Sequence, residues 1–130
     1  MIVIDASVAL ELLFLTPVGR AAKIRLFRPG ESLHAPHLID VEVAQVLRRY
    51  ALAGRIPAPR CDEALADWRA LPVYRYPHER LMRRIWSLRD NLTAYDAAYV
   101  ALAEGMGAPL ITHDARIAGA PGHRAQIELI

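Results

Sequence analysis

Four acidic residues, Asp5, Glu42, Asp96 and Asp114, each stand at the edge of an apolar segment, and the four segments lie far apart along the chain. Asp5 follows the β-branched run Ile2-Val3-Ile4, and Asp114 follows Leu110-Ile111-Thr112. Glu42 and Asp96 fall in the first turns of helices expected to begin near Leu38 and Thr93. Taken singly, an acid in a first helical turn is explained by the positive end of the helix dipole. Taken together they suggest more, because acids that end parallel strands open on one side of a sheet, where ligands bind in α/β folds. If both helix starts reach that edge, four carboxylates share one pocket. Their repulsion would hold protons on some of them unless a cation sat among them. With no cysteine set or paired histidines, oxygen-only ligation points to a hard ion such as magnesium or manganese. Such an ion can activate water and offset charge developing on a phosphodiester, so the chemistry implied is phosphoryl-ester hydrolysis.

The elements that must position these acids can be read from periodicity. Ile2–Ile4 predicts a strand buried on both faces, Ser7 a cap for a helix from Val8 to about Leu15, and Thr16-Pro17 the start of a second helix running to Arg28. In that helix Ala21, Ala22, Ile24 and Leu26 are expected inward and Arg20, Lys23, Arg25 and Arg28 largely outward. Ser32 to Ala35 predicts a second strand, followed by a helix from Leu38 to Ala53 closed by Gly54. Asp62 to Leu71 reads as a helix with Ala64, Leu65, Trp68 and Leu71 inside. Val73 to Tyr76 reads as a third strand and His78 to Arg89 as a helix. The stretch Asn91 to Glu104 is apolar nearly all round, which marks a buried helix with Thr93 as its cap. Tyr95 belongs to its apolar stripe and is expected in the core. Leu110 to Thr112 gives a fourth short strand and Ala125 to Ile130 a last one. Strands alternating with helices over connections too long for hairpins predict an α/β fold: a short central parallel sheet of four to five strands flanked by helices on both faces.

The 130 residues fit one domain, 1–130, large enough to bury a core without staples. A hydrophobic content of 54% excludes a disordered tail, and no apolar run approaches the roughly 20 residues that cross a bilayer, so no membrane association is expected. The first residues lack a basic region and meet Asp5 at once, unlike a signal peptide. Cys61 is the single cysteine, so no intramolecular disulfide forms, which suits a reducing cytoplasm. Net charge is +2 with a pI near 9.0, and Lys23 is the only lysine among 16 basic residues. Arginine pairs well with phosphate, which permits a nucleic-acid partner. Arg80, Arg83, Arg84 and Arg89 could form a phosphate track or a solvated helix face. His113 is expected at the pocket rim, and the other histidines show no ligand spacing.

Ile-Val-Ile-Asp-Ala-Ser at 2–7, Asp-Val-Glu-Val at 40–43, Leu-Thr-Ala-Tyr-Asp-Ala-Ala-Tyr at 92–99 and Leu-Ile-Thr-His-Asp at 110–114 resemble the motifs of PIN-domain ribonucleases, in order and across nearly the whole chain. Within that group the chain is similar to the VapC-type toxins of bacterial toxin–antitoxin pairs. The resemblance implies a PIN-like fold, magnesium- or manganese-dependent endonucleolytic cleavage of RNA, inhibition by a VapB-like antitoxin protein, and a homodimer. By position it makes Asp5, Glu42, Asp96 and Asp114 both the catalytic and the metal-holding quartet, with Ser7 and Thr112 as hydroxyls that orient a carboxylate or a metal-bound water. One departure stands out: some family members carry a further acid shortly after the fourth, whereas Ala115 and Arg116 follow Asp114 here, which favours one ion over two. Two other readings compete. A catalytically idle module that sequesters a protein or RNA would have a broken quartet. A phospho-acceptor using Asp5 would carry a second Asp at the position of Ser7.

Overall fold

The computed structural model describes all 130 residues, Met1–Ile130. Five parallel strands, β1 (Ile2–Ile4), β2 (Leu33–Pro36), β3 (Val73–Tyr76), β4 (Leu110–Thr112) and β5 (Ile127–Leu129), form one sheet in the order β3-β2-β1-β4-β5. The three inner strands are buried along their whole length, as strands covered on both faces must be. Both edge strands are partly exposed. The chain first builds outward from β1 to β2 and β3, then returns to lay β4 on the other flank of β1. That reversal creates a crevice between the carboxyl ends of β1 and β4.

Seven helices surround the sheet: α1 (Ala6–Leu13), α2 (Pro17–Leu26), α3 (Leu38–Leu52), α4 (Ala58–Ala70), α5 (Met82–Ser87), α6 (Ala94–Met106) and α7 (Ala115–Gly119). None is long and apolar enough to cross a membrane. The α6 helix is buried from Ala97 through Ala103, and its small residues let it lie against β1, β2 and β4. Thr93 caps it as expected, accepting the Asp96 N–H at 3.1 Å, and Gly107 in the left-handed region closes it.

Several local expectations are corrected. The first helix starts at Ala6 because Asp5, not Ser7, is its cap and accepts the Val8 N–H at 3.0 Å. In α2 the buried residues are Gly19, Ala22 and Leu26, while Ala21 is exposed and Ile24 is 74% exposed. Arg25, expected outward, is instead drawn in by Glu31 and Glu128 at 3.1 and 2.8 Å. A four-residue earlier start for α4 follows from Pro57 and Pro59, which suit a first turn, and Leu65 is partly exposed there. The stretch from His78 splits into a 3₁₀ turn at Glu79–Leu81 and the short α5, and Trp86 is exposed.

Arg84 does not belong to a free phosphate track. Its guanidinium forks onto Glu104 at 2.7 and 2.9 Å and reaches the Gly122 carbonyl at 3.0 Å, pinning α5 and the loop before β5 to α6. Glu104 also accepts the Arg124 N–H at 2.7 Å. The Arg84 hydrogen bond holds the Glu104 carboxyl below the usual glutamate range against the opposing effect of its burial. A depressed acid stabilises the fold above its unfolded pKa and loses that contribution as pH falls through the folded one. Glu104→Gln should therefore cost about 1 to 2 kcal/mol at neutral pH, with the penalty vanishing in acid below the folded pKa. Urea titrations of both proteins across pH 3 to 8 would expose the error if the gap stayed constant.

Candidate active site

The crevice at the sheet reversal is a cleft of about 660 Å³ whose lining includes Asp5, Glu42, Asp96 and Asp114. Register explains the first and last. Ile4 pairs with Ile111, so Asp5 and Thr112 emerge side by side from neighbouring strands. Thr112 Oγ1 donates to Asp5 Oδ2 at 2.5 Å and accepts the Asp114 N–H at 2.9 Å. Ser7 Oγ donates to Asp5 Oδ1 at 2.6 Å and accepts the His113 N–H at 3.0 Å. Each hydroxyl thus links the Asp5 carboxylate to the backbone that carries Asp114. His113, expected at the rim, is exposed and not among the residues that line the cleft; its ring Nδ1 lies against the Ile130 main-chain oxygen.

Glu42 and Asp96 reach the cleft from α3 and α6. Tyr99, one turn beyond Asp96 on the same helix face, donates its buried hydroxyl to Glu42 across the gap between these helices. The sequence pattern places Tyr99 in the core and misses this second role, although its spacing of three from Asp96 is a signal that it faces the same way. Tyr95 is the opposite error. It is 65% exposed and lines the cleft, since the first turn of α6 stays open and burial of the helix begins only at Ala97. Gln45, Arg49 and Tyr50 of α3 complete the far wall.

Burial pushes the carboxyls of Asp5, Glu42 and Asp96 above their ordinary values. Hydrogen bonds from Ser7, Thr112, Val8 and Tyr99 act against burial, and repulsion among the acids acts with it: Asp114 raises Asp5 and Asp96, and both Asp96 and Asp5 raise Glu42. Asp114 alone is held below the usual range, by hydrogen bonds from Arg116. Two of the acids also serve as caps: Asp5 caps α1, and Asp114 caps α7, accepting the Arg116 N–H at 2.9 Å. That five-residue helix was not expected from the sequence.

No three Asp, Glu, His or Cys side chains are set so as to enclose an ion. The donor chemistry nevertheless suits a hard divalent cation: the lining offers four carboxylates and the Ser7 hydroxyl, no thiolate, and three acids whose charged forms burial and mutual repulsion disfavour, a cost that a cation offsets.

Residues 2–122 match the PIN domain family. The chain is 45% identical to Ribonuclease VapC12 of Mycobacterium tuberculosis over 130 residues, covering all of this chain and 99% of the relative. It is 47% identical to VapC ribonuclease Mb0985 of Mycobacterium bovis over 117 residues, 90% of this chain and 88% of the other. Its fold superposes on a chain of the crystal structure of VapBC2 from Rickettsia felis bound to a promoter DNA fragment, with a TM-score of 0.74 at 11% identity over 99% and 98% of the two chains. The chain belongs to the PIN-domain family and, within it, to the VapC ribonucleases.

Proposed function

We propose that this protein is the endoribonuclease toxin of a toxin–antitoxin pair, and that Asp5, Glu42, Asp96 and Asp114 hold a magnesium or manganese ion at the site where it hydrolyses RNA. The observation that carries this reading is the presence of all four acids in one cleft at the point where the strand order reverses. A bound divalent ion supplies an acidified water and offsets negative charge on the phosphodiester. The protein's own groups do the rest. Asp5 is fixed by Ser7, Thr112 and the Val8 N–H, so its carboxylate cannot turn away. Tyr99 fixes Glu42 in the same way. Arg49 and Arg116 are the cationic groups in the lining, Arg116 paired with Asp114 and Arg49 available to RNA phosphates, and the exposed Tyr95 ring offers a face on which a base can stack.

Cleavage of single-stranded RNA is expected to stop in excess chelator and to return on adding magnesium or manganese. Cleavage that continues at the same rate in chelator would defeat the metal mechanism while leaving the fold untouched.

The partner is a VapB-like antitoxin. Ile24 on α2, Phe27 just past its end, and Val41 and Leu52 on α3 are exposed apolar side chains that offer such a segment a seat. The family resemblance also implies a homodimer, and light scattering that finds only monomer at micromolar concentration would count against it.

A further inference from the structure

Arg116 differs from the three arginines whose ion pairs brace the fold. Arg25, Arg75 and Arg84 are largely covered and tie separate elements together through Glu31 and Glu128, Asp40, and Glu104. Arg116 is 85% exposed, and the only carboxylate it binds is one of the four in the cleft. Its Nη2 donates to Asp114 Oδ2 at 2.6 Å, and its Nε lies 3.1 and 3.2 Å from the two carboxylate oxygens. An ion pair so exposed, between residues two apart, adds little to the fold. The guanidinium is tethered at the cleft, where its field also reaches Asp96. It stands two residues after Asp114, where this chain places a cation and no further acid.

Resting on the reading of the cleft as an RNA-hydrolysing, ion-holding site, we infer that Arg116 replaces a second metal ion: it counters Asp114 at rest and turns to the scissile phosphate when substrate is bound. The exchange is geometrically simple, because a fork that fits two carboxylate oxygens fits two phosphate oxygens equally well. The carboxylate it releases is then free to hold the resident ion, so loading of that ion and engagement of the phosphate by Arg116 favour one another. The site therefore takes one ion per chain, and the second positive charge at the reacting phosphate comes from the protein itself.

Manganese binding, followed calorimetrically without RNA, and steady-state cleavage of a single-stranded RNA at saturating manganese test this in wild type, Arg116→Gln and Arg116→Lys. Wild type should bind one Mn²⁺ per chain. Arg116→Gln should also bind one, but about two- to fivefold more tightly because its competitor for Asp114 is gone. Its kcat should nevertheless fall at least about tenfold with a smaller change in KM, since the lost contact is made chiefly in the transition state. Arg116→Lys should recover part of kcat, keeping the charge and losing the fork. Two Mn²⁺ ions on wild type, or an Arg116→Gln protein with wild-type ion affinity and wild-type kcat, would overturn the role of Arg116 and leave the nuclease reading standing. A wild-type protein that neither binds Mn²⁺ nor cuts RNA would overturn both.

Discussion

Asp96→Asn is expected to lower RNA cleavage about a thousandfold while leaving the protein at least as stable as before. The two halves have separate causes. Thr93, not Asp96, caps α6 through its hydroxyl, and asparagine keeps the backbone N–H that Thr93 accepts. Burial raises the Asp96 carboxyl, and Asp114 raises it further, with only partial relief from Thr93 and Arg116. An acid raised in the fold binds its proton more tightly there than when unfolded. Its ionised form therefore costs stability above the folded pKa and costs nothing in acid below the unfolded one. At neutral pH the uncharged amide removes that cost, set against a loss of some fraction of ~1 kcal/mol in dipole compensation. Activity falls because a carboxylate of the ion-holding set is gone. Asp5→Asn is a poorer probe: Asp5 caps α1 and accepts from two hydroxyls, so the amide breaks bonds as well as removing charge. Thermal unfolding without added metal, paired with cleavage in saturating magnesium, decides the matter. An Asp96→Asn protein that is less stable yet cuts at the wild-type rate would show Asp96 to be only a helix-dipole residue.

Gly19→Ala should destabilise the fold by about 3 kcal/mol, a drop in Tm of about 10 °C for a chain of this size. A Cβ at Gly19 would lie 1.8 Å from the backbone oxygen of Glu11 and 2.4 Å from its carbonyl carbon. Backbone cannot swing aside like a side chain, so α1 and α2 would have to separate. Thr16 holds that corner tight by accepting the Gly19 N–H at 2.9 Å while its hydroxyl bonds the Glu11 carboxylate. Gly105→Ala is the matched control, because nothing lies within 4 Å of its added Cβ in α6, and alanine there should add about 0.5 to 1 kcal/mol. Equal shifts for the two variants in urea denaturation would mean that α1 and α2 are not packed this closely.

What the sequence made legible was whatever depends on local pattern. The β-branched runs became the buried strands, the alanine-rich stretch became α6, and the acids at segment edges came to one cleft. The misreadings share a cause, which is that a residue's neighbours in space were unknown. Arg25 and Arg84 looked solvated because Glu128 and Glu104 are remote in sequence, and Ile24 and Tyr95 looked buried because nothing local says where the sheet ends. Ser7 looked like the α1 cap by residue type alone. Asp5 took that position because Ser7 and Thr112 both turn their hydroxyls toward its carboxylate, and the Thr112 bond closes a loop that no local pattern reveals.

The bond between Thr112 and Asp5 spans 107 positions of the chain. A ribosome synthesising this protein must therefore deliver the chain through Thr112 before the first strand can meet the fourth and the cleft can exist. Helices α2 and α3, with their exposed apolar residues, emerge well before that. An unfinished chain is consequently harmless to the RNA around it, and pairing this distant in sequence is slow to form. A cell that makes this enzyme therefore has an interval, set by synthesis and folding, in which a partner can meet the nascent chain before it is able to cut.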